Sequence, residues 1–365
     1  MTPSAAENLS DVFLHTAGRD RDWVVAWYQR HISIAQGMSF FDIVKAVQAN
    51  IETTQDGILG PATYRRMLTA DEAKKVRQDI SEPTGGRIIY SEGSSGRVCD
   101  IPGVRIDHSI SLNEMRHNKY GGSCGGMWGK GAKPKYLATI HWDVALSAQS
   151  CASILVGEGY GSSFGIDNPG PDGNAPVYQW MIPGDWYGYH AGSPANKLSA
   201  VSFDLSNAVS LKYQDIYTKR VGKPRPVVTP ICGPHVGQRH LGMYKGQIVS
   251  LLRMLRACST CSGLPFKLLD WPGKTGLERW FWNAAQPELW KRVESGDFQG
   301  VITHQNITSQ KWDVRCLWEQ IAFHLQTDAK LRVEFQDVYD GFALTPLQWA
   351  DLMVAIGSSW ENPGN

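Results

Sequence analysis

A mixed α/β domain, with a small all-α module in front of it, is the fold class this sequence predicts, and three observations predict it. From Tyr136 onward, short apolar runs of strand length alternate with longer stretches of helical periodicity, the pattern of a mixed central β-sheet flanked by helices. Residues 23–70, in contrast, are dense in helical signals. The length, 365 residues, suits one large domain plus a small one.

The elements follow in order. In FDIVKAVQANIETTQDGILGPATYRRML, Ile43, Val44 and Val47 lie at helical spacing, Asp56–Gly57 marks a turn, and Gly60–Pro61 opens another helix with proline in its first turn. This module is expected over residues 1–80. Residues 81–135 are Gly-rich (EPTGGR, SEGSSGR, YGGSCGGMWGKGAKPK), which predicts a linker and an irregular lead-in. YLATIHW (136–142) reads as a strand with Leu137, Thr139 and His141 on one face and Ala138, Ile140 and Trp142 on the other. VYQWMIP (177–183) and SAVSFDL (199–205) are further strands. LGMYKGQIVSLLRMLRAC places Leu241, Tyr244, Ile248, Leu251 and Leu255 at helical spacing. GVITH is the last strand and VRCLWEQIAFHL a closing helix. The main domain is therefore expected over 136–330, with a helical insertion at about 268–298 and an extension over 331–365 to which the sequence assigns no role.

Composition excludes several classes. A formal net charge of +1 argues against nucleic acid as a partner. No run of about 18 apolar residues exists, so no membrane insertion is expected. The N-terminus lacks a basic start followed by an apolar core, which predicts synthesis in a cytoplasm without a secretory signal and release by other means. The 7 cysteines are odd in number and scattered, unlike a disulfide framework. They are expected to be reduced and structural, CSTC at 258–261 included. A monomer is expected.

The chemistry gathers at strand ends. His141 follows Ile140, His304 follows Thr303, and Asp313 lies in the loop after His304. Two imidazoles and a carboxylate, with a fourth position for water, are a catalytic zinc set. In an extended segment Lys311 and Asp313 point the same way, so Lys311 is placed to meet an oxyanion. On SAVSFDL, Asp204 shares a face with Ala200 and Ser202, which leave room for a substrate, and is a candidate general base.

The order TIHW, YHAGSPAN, SAVSFDLSN, the 241–257 helix and THQNITSQKWD resembles the type 2 zinc-dependent N-acetylmuramoyl-L-alanine amidases over about residues 136–325. That family includes phage endolysins, bacterial muropeptide-recycling amidases and animal peptidoglycan-recognition proteins. The helix–DGILGPAT–helix order in front resembles the three-helix peptidoglycan-binding module of cell-wall hydrolases. The resemblance implies Zn2+ held by His141, His304 and Asp313, with Lys311 as the catalytic lysine and Asp204 where the family carries glutamate. His190 and Asn196, in YHAGSPAN, match a cleft-lining WHAG…N segment; Trp142, next to the first ligand, joins them as a candidate substrate-binding residue. The implied activity is cleavage of the amide between N-acetylmuramic acid and L-Ala in bacterial peptidoglycan, most simply as a phage endolysin acting on the wall after release.

The chain also departs from the family. The S-x-H before the central strand is GSSFGID here, Val314–Arg315 replaces a Pro–Gly, and Asp204 is one methylene shorter than glutamate, roughly 1.5 Å. Some relatives use cysteine as third ligand, which makes Cys316 a rival to Asp313. Two other readings stand beside the endolysin: a peptidoglycan-recognition protein that binds without cleaving, and a secreted interbacterial amidase effector. A virion structural protein with wall affinity is a third.

Overall fold

The computed structural model describes residues 2–16, 19–32, 37–51, 54–60, 63, 67, 85–92, 95–112, 115, 128–130, 136–183, 186–188, 190–191, 193–271, 273–282, 284–286, 288–308, 311 and 313–364. The chain divides into two compact units, Met1–Pro83 and Thr84–Asn365. No helix among the described residues is long and apolar enough to cross a membrane.

In the first unit, helices Pro3–Thr16, Arg21–His31 and Phe40–Asn50 enclose Leu14, Val24, Trp27, Val44, Val47 and Leu59. Asp20 and Ser39 start two of them by accepting the backbone N–H of Trp23 and Asp42. The buried Gln48 amide fastens the predicted turn: its Oε1 accepts the Gly57 N–H at 2.8 Å, and its Nε2 donates to Asp56 Oδ1 at 2.7 Å and the Ile58 carbonyl at 3.0 Å. The helix expected after Gly60 lies outside the described residues except for Thr63 and Met67. The helix Pro3–Thr16 had no sequence signal strong enough to be expected.

The second unit is mixed α/β, as the alternation predicted. Its strands are β1 (Gly85–Glu92), β2 (Ser95–Pro102), β3 (Ile106–Asp107), β4 (Trp128–Lys130), β5 (Leu137–Trp142), β6 (Phe164–Ile166), β7 (Val177–Gln179), β8 (Trp186–Gly188), β9 (Ser199–Leu205), β10 (Val227–Val228), β11 (His240–Leu241) and β12 (Gly300–Thr303). Six of them form the central sheet in the order β12-β5-β9-β6-β7-β3. All neighbours in it are parallel except β6 and β7. β5 and β9 are buried along their whole length, as central parallel strands covered on both faces must be.

One sheet face carries Ala138, Ile140, Trp142, Val201, Phe203 and Leu205 into a core with the helices Lys245–Ser262 and Leu317–Thr327. The other face receives Leu137 and Ile302, covered by Leu269, Leu289, Val293 and Phe298. The 268–298 stretch is thus part of the sheet's packing, and its described residues include the short helices Glu278–Phe281 and Leu289–Glu294. The 331–365 stretch also packs into the main core, through Phe335, Phe342, Leu352 and Ile356.

Two expectations are corrected. Much of the described part of 81–135 is not linker: β1 and β2 form an eight-rung antiparallel hairpin, and β3 joins the central sheet. Glycines that suggested loops sit inside strands, where Ile88, Ile101 and Ile106 supply the burial. Within that stretch, 81–84, 93–94, 113–114, 116–127 and 131–135 lie outside the described residues. The cysteines are not all reduced either: Cys99 of β2 is disulfide-bonded to Cys261 at the end of the Lys245–Ser262 helix, with Cα atoms 6.4 Å apart. The helix packs beside β2, so partners 162 residues apart meet.

Candidate metal centre

Three parallel strands end side by side, and each delivers one polar residue. Thr303 of β12 pairs with Ile140 of β5, so His304, the next residue, falls alongside His141. On the other side of β5, Asp204 of β9 is the register partner of His141. Ligands of open α/β sheets bind at such carboxyl ends. After His304 the chain turns at once: Asn306 Oδ1 accepts the Thr303 N–H at 2.8 Å and the Thr303 hydroxyl at 2.9 Å. The following loop returns Asp313 to the strand ends.

His141 Nδ1 lies 3.1 Å from His304 Nδ1 and 3.4 Å from Asp313 Oδ2, and His304 Nδ1 lies 2.8 Å from the same oxygen. Protons satisfy this triangle poorly. If both Nδ1 atoms carry hydrogen, two donors face each other; if only one does, the bare nitrogen's lone pair still faces the Asp313 oxygen. A central cation engages all three lone pairs. Bonds of about 2.0–2.1 Å at tetrahedral angles place donor atoms roughly 3.3 Å apart, close to the observed separations. The cluster could therefore hold a metal ion.

Electrostatics keep Asp313 a carboxylate and disfavour a positive charge on His304. Burial would raise the Asp313 carboxyl, but hydrogen bonds with His141 and His304 outweigh it and hold it well below the carboxylate range. Burial pushes the His304 imidazole down, against its bond to Asp313; the nearby His141 and Lys311 push the same way as burial. Asp204, itself buried, is raised by desolvation, with His141 and a hydrogen bond from Ser162 opposing and Asp313 adding repulsion. Gly165 of β6 runs beside Asp204, and a Cβ there would stand 2.0 Å from the Trp180 ring, so only glycine lets this cover close. Lys311 is solvent-exposed.

The remaining expected site residues divide. His190 approaches the cluster from behind, its Nδ1 2.9 Å from His141 Nε2. Asn196 is buried, and its Oδ1 accepts the N–H groups of His190 and Ala191, each at 2.8 Å, so its oxygen braces a turn instead of facing a ligand. Trp142 is corrected: it is 4% exposed, packs in the core and lies 5.1 Å from the His240 ring, because the strand's period of two turns it away from His141. Cys316 is also corrected as a rival ligand. It is fully buried in the core and stands outside the metal-binding group. Val314 and Cys316 both take left-handed backbone, with φ of 64° and 59°, in the loop that carries Asp313. Their buried side chains hold that strained loop, and Asp313 with it.

Asp143 was missed. Two residues beyond His141, its buried carboxylate accepts from the Ala145 N–H at 2.8 Å, the Ser206 hydroxyl at 2.9 Å and the Asn207 N–H at 3.1 Å. It ties the exit of β5 to that of β9. The period-two continuation of Thr139–His141–Asp143 was the signal available. Comparison with protein-family models, curated proteins and solved structures finds no match to this chain.

Proposed function

We propose that this chain is a zinc-dependent peptidoglycan amidase, cutting the bond between the lactyl carbonyl of N-acetylmuramic acid and L-Ala. The observation that carries this reading is the two-histidine, one-carboxylate triangle at the sheet's carboxyl edge, flanked by a second buried carboxylate and a lysine. Donors of mixed nitrogen and oxygen type at these separations suit zinc. Zinc held by His141, His304 and Asp313 supplies Lewis-acid activation of water and carbonyl.

The chain's own residues divide the proton and charge work. Asp204 sits beside His141, and its raised affinity for a proton fits a base that takes a proton from the attacking water and returns it to the leaving amine. Lys311 is exposed yet near enough to act on His304, so its positive charge would oppose the negative charge developing on the amide oxygen. Asp143 holds the two strand exits in register. The first unit, with the turn that resembles peptidoglycan-binding modules, serves as the wall anchor, and an endolysin is the simplest setting for both.

Release of L-Ala amino termini from purified sacculi tests the proposal. Zinc-loaded protein should release them and chelated protein should not. Zinc-loaded protein that binds sacculi but releases none would instead be a wall-recognition protein.

A further inference from the structure

We propose that His190 is the outer partner that fixes the tautomer and orientation of the metal ligand His141, and is not primarily a substrate contact. This deepens the metal-centre part of the reading above and rests on it.

The geometry is a chain of three links. His141 Nδ1 points into the donor triangle, so a cation there requires that nitrogen unprotonated and places the ring's one hydrogen on Nε2. His190 Nδ1 lies 2.9 Å from that Nε2 and accepts its hydrogen. The rings meet edge to face, at 79° with centroids 5.0 Å apart. This suits an in-plane N–H···N bond and not a stack. The third link is Asn196, whose Oδ1 takes two successive backbone N–H groups, His190 and Ala191, and so fixes where the His190 ring starts. Asn196 is buried and lies in the helix Ser193–Leu198, so the brace is anchored in the fold.

Metal-binding imidazoles that donate their other N–H to a fixed acceptor are better oriented and more basic ligands, and losing that acceptor typically costs 10–100-fold in metal affinity. His304 Nδ1 and His141 Nδ1 both face Asp313, but the outer nitrogen of His141 is the one given a histidine acceptor. The assignment also bears on a departure from the resembled family: a residue matching its cleft segment is engaged behind the metal ligand.

The test measures zinc affinity by chelator competition on the full chain, without substrate. His190→Ala should weaken zinc binding 10–100-fold, and His190→Asn, which offers an acceptor oxygen near the Nδ1 position, should recover most of it. The visible spectrum of the Co2+-substituted protein should change in the alanine variant and return toward wild type in the asparagine variant. Alanine and asparagine variants that both bind zinc and Co2+ as wild type does, with only KM for muropeptides raised, would overturn the assignment in favour of substrate contact. If His190→Ala fails to fold, the asparagine variant decides: a 10-fold or larger loss of zinc affinity in it, with the fold intact, also overturns the acceptor role. Wild-type protein that binds no zinc would overturn the metal centre itself, a distinguishable result.

Discussion

Asp313 and Cys316 lie three residues apart in one loop, and burial decides between them: the carboxylate meets two imidazoles while the thiol faces the core. Asp313→Ala should therefore lose the metal, and Cys316→Ala should keep it, as measured by metal content after dialysis. The opposite pattern would restore the cysteine as ligand. Asp204 and Lys311 lie beside the donor triangle without belonging to it. Asp204→Asn and Lys311→Ala should keep metal and fold yet lower kcat by about 10²–10⁴, the scale of a lost general base or oxyanion donor. Single-turnover rates on a small muropeptide would show it, and an Asp204→Asn enzyme at wild-type rate would remove Asp204 from the chemistry.

At the scale of elements, the strand ends were legible because a parallel strand announces itself twice: by an apolar run and by the polar residue where the run stops. His141 and His304 were found that way, and Asp204 by the small residues that share its strand face. Trp142 was misplaced because its adjacency to His141 in sequence was set above the strand period, which turns neighbouring side chains to opposite faces. The β1–β2 hairpin was hidden by its glycines. Its disulfide was hidden by distance, since no local pattern links Cys99 to Cys261. That bond closes a span of 162 residues, for which chain entropy predicts up to about 5 kcal/mol of stabilisation. Reduction, or Cys99→Ala, should lower the melting temperature by several degrees or more while leaving metal binding intact. An unchanged melt would mean that packing of β2 on its helix suffices.

Across the whole molecule, each of the two units has a hydrophobic core of its own. A chain starting at residue 84 should therefore fold, keep turnover of small muropeptides and lose adsorption to sacculi, because a tethered binder raises local concentration without touching the chemistry. Equal loss on both substrates would make the first unit structural. The main core also sets a pH limit. Burial holds His240 at about 4 against an ordinary 6.5, and His324 at about 3. The unfolded chain protonates these groups as pH falls through 6.5, while the folded chain does so only near the lower values. Their stabilisation is thus complete above 6.5 and is lost on acidification, about 3 kcal/mol for His240 by the time pH reaches 4. Melting temperature should fall steadily from about pH 7 to pH 5, and His324→Leu should flatten that fall. A variant with the wild-type slope would acquit His324.

The separation of the two histidines along the chain gives the centre a place in time. His304 follows His141 by 163 residues, a delay of roughly 8–30 s at ordinary rates of synthesis. β12 is the last strand of the central sheet in sequence and lies at its edge, so the first histidine waits at an open border until it arrives. A ribosome that stalls before residue 304 leaves a product with one of the three candidate donors. The three donor residues therefore come together only once synthesis has passed residue 313, and any shorter product lacks the full set.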